Sequence, residues 1–141
     1  MDGEGTYTLV VSLGADATVT FGAAGERSLP AGTYAYVGTA FGPGGFSRVE
    51  RHRELARGER GTRHWHVDYL LGHPASTVAS VVTSADVDAE CAVAATLDEQ
   101  VPSVPGLGAS DCDCRTHLFG PADGESLRRC VETAHGAVRE S

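Results

Sequence analysis

The chain opens with extended runs, and its first helix is not expected until after residue 45; that order constrains the fold most. Tyr7 to Leu13 (YTLVVSL) is rich in β-branched residues and partly alternating, which reads as a strand. A turn at Gly14 to Asp16 leads to a second extended run, Thr18 to Phe21, and a short third, Arg27 to Leu29, stops at Pro30-Ala31-Gly32. Thr33 to Thr39 (TYAYVGT) is a further strand, followed by a Gly-rich loop and a helix from about Ser47 to about Arg57. Beyond a polar loop, His64 to Leu71 (HWHVDYLL) alternates and reads as a strand, as does Thr77 to Thr83. A helix is predicted over Val87 to Asp98 with Asp86 as N-cap. A Pro/Gly loop, a short strand at Thr116 to Phe119 and a helix over Gly124 to Val138 complete the chain. The order predicts one α+β domain over residues 1–141 with a mostly antiparallel sheet flanked by helices.

No apolar run is long enough to cross a bilayer, and the acidic start MDGEGTYTLVV lacks the features of a secretory signal. The expected compartment is the cytoplasm. Asp and Glu number 19 against 11 basic residues, and every basic residue is Arg. Acidic, lysine-free, Ala/Gly/Val-rich composition suits a halophilic proteome, although a GC-rich genome also favours Arg, Ala and Gly. Six arginines (Arg48, Arg51, Arg53, Arg57, Arg60, Arg63) fall between residues 48 and 63 with three glutamates, so that segment is net +3 and the rest of the chain -11. Such a stripe suits a phosphate-bearing partner, or equally a solvated helix face with ion pairs.

Two positions stand out on their helices. On the helix over residues 87–98, Val87, Cys91, Ala94 and Leu97 share a face, and Glu90 falls within it. A carboxylate there needs a partner or a metal, unless it complements the helix dipole at the stripe's edge. On the helix over residues 47–57, Arg48 and His52 are one turn apart on the face of Val49, Leu55 and Ala56, so their heads can meet at one ligand. Alternatively, the Arg stem covers apolar surface and its head reaches water. In the alternating run, His64, His66 and Asp68 share one face, opposite Trp65, Val67, Tyr69 and Leu71. Together with Cys112, Cys114 and His117 these histidines form a soft donor set suited to Zn2+, or else they are solvent-facing histidines and packed cysteines. With Cys91 and Cys130 the cysteines number four, and in a cytosolic chain they are expected to be buried small hydrophobes or metal ligands rather than a disulfide framework.

Gly5-Thr6-Tyr7 and Tyr36-Val37-Gly38, followed by Arg48 and His52 on the next helix and Glu90 on a later one, resemble the motif series of the GIY-YIG nuclease superfamily. GTYAYVGTAFGPGGFSRVERH, HWHVDYLL, AECAVAATL and GASDCDCRTHLF resemble more narrowly one archaeal and bacterial branch of uncharacterised function. Some of that branch are fused to DNA-repair glycosylases, which implies a DNA or RNA partner and a setting among repair proteins. The gap between the two tyrosine motifs is longer than in typical members, which implies an inserted strand.

The resemblance implies a metal-dependent phosphodiester hydrolase, an endonuclease of the one-metal type. Glu90 would bind Mg2+ or Mn2+, Tyr7 with His52 would deprotonate water, Arg48 would stabilise phosphoryl charge, and Tyr36 would position water or phosphate. Gly5 and Gly38 would be structural. Arg51, Arg53, Arg57, Arg60 and Arg63 would contact nucleic acid. His64, His66, Cys112, Cys114 and His117 are candidates for a second metal, Zn2+. The alternatives are a non-catalytic nucleic-acid-binding module and a zinc-stabilised interaction domain. From the acidic excess, the thermal unfolding midpoint should rise between about 0.1 and 1 M KCl as self-repulsion is screened. A midpoint that falls over that range would remove the salt-adapted reading.

Overall fold

The computed structural model describes residues 3–22, 25–41, 45–58, 66–104 and 116–140. The strands are β1 (Gly5–Leu13), β2 (Ala17–Thr20), β3 (Glu26–Leu29), β4 (Gly32–Thr39), β5 (Ser76–Ala85) and β6 (Leu118–Ala122). The helices are α1 (Ser47–Ala56), α2 (His66–Leu71), α3 (Glu90–Asp98) and α4 (Gly124–Glu140). The fold is α+β, as expected. One antiparallel sheet has the order β5-β1-β4-β6, and β2 and β3 form a separate hairpin. That hairpin lies between β1, which carries Tyr7, and β4, which carries Tyr36. Among the described residues no helix is long and apolar enough to cross a membrane.

The sheet has a core on each face because its central strand is buried on both. Tyr7, Leu9, Val11 and Leu13 of β1 join Tyr34 and Tyr36 of β4, Val49 and Leu55 of α1, and Val67, Leu70 and Leu71 of α2. Val10 of β1 joins Ala35 and Val37 of β4, Val93, Ala94 and Leu97 of α3, and Leu127, Val131 and Ala134 of α4. The period-2 alternation of β1 thus separates two sets of helices. On the α3/α4 face β1 also presents Thr6 and Thr8, both fully buried, and each hydroxyl has a partner. Thr8 Oγ1 lies 2.8 Å from His135 Nε2, and Ser84 Oγ lies 2.8 Å from the Nδ1 of the same imidazole.

Three sequence-based expectations are corrected. The predicted strand over residues 64–71 is helical from His66 to Leu71, and residues 64 and 65 lie outside the described residues. Trp65, Val67, Tyr69 and Leu71 fit a strand's period, but Val67, Leu70 and Leu71 fit a helix's, and the burial of these three against the first core goes with the helix. The helix predicted from Val87 begins at Glu90, with Ala89 as N-cap. Asp86 is not its cap: it has φ +59° and donates its backbone N–H to Glu4 O at 2.8 Å. The cap comes from another strand, since Thr6 Oγ1 accepts the Ala89 N–H at 3.0 Å and donates to Val87 O at 2.7 Å. Finally, Cys91 is exposed rather than on the buried face, and it is disulfide-bonded, whereas Cys130 is a free thiol.

Thr6 therefore satisfies the backbone N–H of the N-cap residue Ala89, as the N3 side chain of a capping box does elsewhere. Thr6→Val keeps the shape and removes both hydrogen bonds, so it should cost about 0.5–2 kcal/mol, the usual range for a lost cap. Urea unfolding measures this, and an unchanged midpoint would show that Thr6 does not hold the helix.

Candidate active site

A chain of buried polar side chains links β1, α1 and α2. Tyr7 Oη lies 2.9 Å from His52 Nε2, His52 Nδ1 lies 3.1 Å from Asp68 Oδ1, and Arg51 Nη1 donates to Asp68 Oδ2 at 3.0 Å. The side chains of His52 and Asp68 are wholly buried, and that of Arg51 is 13% exposed. A carboxylate only accepts, so the proton on the Asp68 side of the imidazole belongs to His52 Nδ1. With His52 neutral, Nε2 is left as the acceptor for the Tyr7 hydroxyl. The order of donors is thus set by Asp68, and Arg51 compensates the buried charge that does so.

Tyr7 reaches His52 by lying over Gly38. The two residues are cross-strand partners, and a Cβ at position 38 would sit 2.6 Å from Tyr7 Oη. A side chain there would displace the phenol, which explains the glycine at this place. Gly5 is required by backbone packing, since a Cβ would collide with the carbonyl of Ser84 across the β1–β5 ladder. Arg48 is half-buried beside the same group. Its guanidinium donates to Thr39 O at 2.8 Å and to Phe41 O at 3.2 Å, where β4 ends.

Glu90 enters from the other helix layer. It is the first residue of α3, buried to 8% exposure, and the Thr6 cap fixes it at the end of the sheet where β1 begins. Its Oε2 lies 3.6 Å from the Nδ1 of His117, which is 1% exposed and whose carbonyl accepts the Val37 N–H at 2.9 Å. Burial pushes the Tyr36 phenol well up, and the carboxylates of Glu90 and then Asp68 push it further. Burial likewise raises Tyr7, with Tyr36 adding to it, Arg48 opposing, and Asp68 and Glu90 adding smaller increments. Tyr7, Tyr36, Arg48, His52 and Glu90 thus share one electrostatic environment. The chemical capacity of the group is proton relay beside an arginine and a carboxylate.

The arginine stripe is only partly what its pattern suggested. Arg51, expected from the resemblance to contact nucleic acid, is paired with Asp68, because a buried carboxylate binds the nearest guanidinium. Arg57 is exposed and paired with Glu50 at 3.2 Å, and Arg53 is partly exposed. Arg60 and Arg63 lie outside the described residues, as do His64, Cys112 and Cys114, and the His66 side chain is likewise not described. The proposed second metal set is therefore represented by His117, which stands beside Glu90. Among the described residues no three metal-binding side chains come together. The residue that sequence reasoning missed is Asp68. Read as a helix, VDYLL places Asp68 beside the stripe of Val67, Leu70 and Leu71 rather than within it, so periodicity gives no signal for it and its burial shows only in the fold.

A family model described as a domain of unknown function, DUF123, matches residues 6–140, so the chain belongs to that family. Among curated proteins and among solved structures nothing matches the chain.

The buried phenols give the site a signature in alkali. Burial raises Tyr7 and Tyr36, and Tyr34 is pushed up to about 12 by burial and by Asp16. Unfolded chains release phenol protons from about pH 10 upward while the folded chain retains these three, so stability is unaffected below that pH and falls above it. Phenolate absorbance from three of the four tyrosines should therefore appear together with loss of circular dichroism. Titration of all four in a still-folded protein would contradict the arrangement.

Proposed function

For a member of the DUF123 family built in this way, we propose a metal-dependent phosphodiester hydrolase of the GIY-YIG type, acting on DNA or RNA, with repair as its setting. The observation that carries the reading is the buried Tyr7–His52–Asp68 chain beside Arg48 and Glu90. The motif residues that resemble the superfamily are the same ones that share this environment.

A phenol raised by burial is a poor resident base, because it stays protonated at neutral pH. Tyr7 can nevertheless pass a proton on. As its oxygen takes the proton of an attacking water, its own proton passes to His52 Nε2, whose nitrogen lies 2.9 Å from the phenol oxygen, and no free phenolate is needed. Asp68 stabilises the imidazolium that results, and the Arg51 guanidinium is paired with the other oxygen of Asp68. Arg48 offers guanidinium N–H groups to the phosphoryl oxygens, and Tyr36 orients water or phosphate. The donors at Glu90 fit a divalent ion, since a buried carboxylate beside an imidazole is an ordinary ligand pair. Such an ion, when bound, supplies Lewis-acid stabilisation of the leaving oxygen. Arg53, partly exposed, and Arg57, exposed beside Glu50, would meet flanking phosphates.

Cleavage of branched, flapped and single-stranded DNA and RNA in high salt with Mg2+ or Mn2+ tests the proposal. Tyr7→Phe and His52→Gln should each lower the rate by about 10²–10⁴-fold, the usual worth of a positioned acid–base group. Glu90→Gln should abolish metal-dependent turnover. A wild-type protein inactive on every substrate, or a fully active Glu90→Gln variant, would refute it.

A further inference from the structure

His117 was grouped by sequence with cysteines and histidines for a separate zinc site, and the fold places it instead against Glu90. We propose that Glu90 and His117 form one mixed carboxylate–imidazole metal centre, which selects a transition-metal ion such as Mn2+ or Zn2+ over Mg2+. The proposal rests on the hydrolase reading above and names the ion that reading leaves open.

Geometry supports a shared ligand. The 3.6 Å between Glu90 Oε2 and His117 Nδ1 exceeds a hydrogen bond. It is shorter than two metal–donor bonds of about 2.0–2.2 Å placed end to end, so one ion can touch both atoms. Each donor is held through its backbone: Glu90 by the hydrogen bond of Ala89 to Thr6, and His117 by the hydrogen bond from Val37. Both are buried, so the pair is presented without its water shell.

Donor chemistry sets the preference. Mg2+ is a hard ion that takes oxygen ligands and keeps its waters, whereas imidazole suits later divalent ions. The neighbouring Cys91 is tied up in a disulfide and offers no thiolate, so this stretch of α3 presents oxygen and not sulfur. A nitrogen–oxygen pair completed by water and phosphate oxygens is the chemistry of a catalytic rather than a structural centre.

Binding of Mn2+ alone to the whole chain, read by titration and by pulsed electron paramagnetic resonance, tests this without reference to activity. The wild type should bind Mn2+ more tightly than Mg2+ and show nitrogen coupling from a directly bound imidazole. Both His117→Gln and His117→Asn should lose that coupling and bind at least about 10-fold more weakly, with Glu90→Gln losing the ion. Mn2+ that depends on Glu90 but shows no nitrogen coupling overturns His117 as ligand and leaves the hydrolase reading standing. Coupling that persists in a folded His117 variant also overturns it, since another histidine is then bound. Equal affinity for Mg2+ and Mn2+ in the wild type overturns the preference even if neither variant folds. Absence of any bound ion removes both this centre and the metal-dependent reading.

Discussion

Burial of β1 on both faces and pairing on both edges leave no water for the polar side chains Thr6, Tyr7 and Thr8 near its start, and the helices are placed by how that demand is met. Three consecutive hydroxyls make the point. Thr6 bonds the approach to α3, Tyr7 bonds His52 on α1, and Thr8 bonds His135 on α4. Neighbouring residues on a strand point to opposite faces, so this triplet ties down both layers at once. An apolar core alone would tolerate sliding of a helix along the sheet, whereas a buried hydroxyl that must keep its partner does not. α2 is attached one step further out, through Asp68 to His52 and Arg51.

The same economy explains why structure and candidate chemistry coincide. The bonds that seat α1 and α2 are those of the relay, so the fold cannot relax around Tyr7 without losing the alignment of His52. Buried ion pairs are weak sources of net stability, since desolvation offsets most of their attraction. Asp68 with Arg51 is better understood as fixing which imidazole nitrogen carries the proton.

Much of this was legible in the residues. The strands, the α+β class and three of the four described helices follow from period and punctuation, and two of the side chains singled out by the resemblance, Tyr7 and His52, are bonded to each other in the fold. Two things were hidden for a common reason. HWHVDYLL fits two periods, and only the burial of Val67, Leu70 and Leu71 decides between them. Choosing the strand sent Asp68 to the wrong face and left Arg51 looking solvent-exposed. The cap of α3 was hidden differently: Thr6 lies 83 residues from Ala89, so no local window contains both. Asp86, the residue with the right side chain in the right place, has a left-handed backbone instead.

Gly38 carries an implication for the family's history. Its missing side chain is the space in which the Tyr7 ring lies, so the two positions are one mechanical unit split across a strand pair. A lineage that keeps the tyrosine is barred from any other residue at the glycine. One in which the tyrosine has shrunk to a small residue is released from that bar, and drift at position 38 should follow. Paired replacement of the two positions would therefore mark descendants that retained the scaffold after abandoning the relay, readable from their sequences alone.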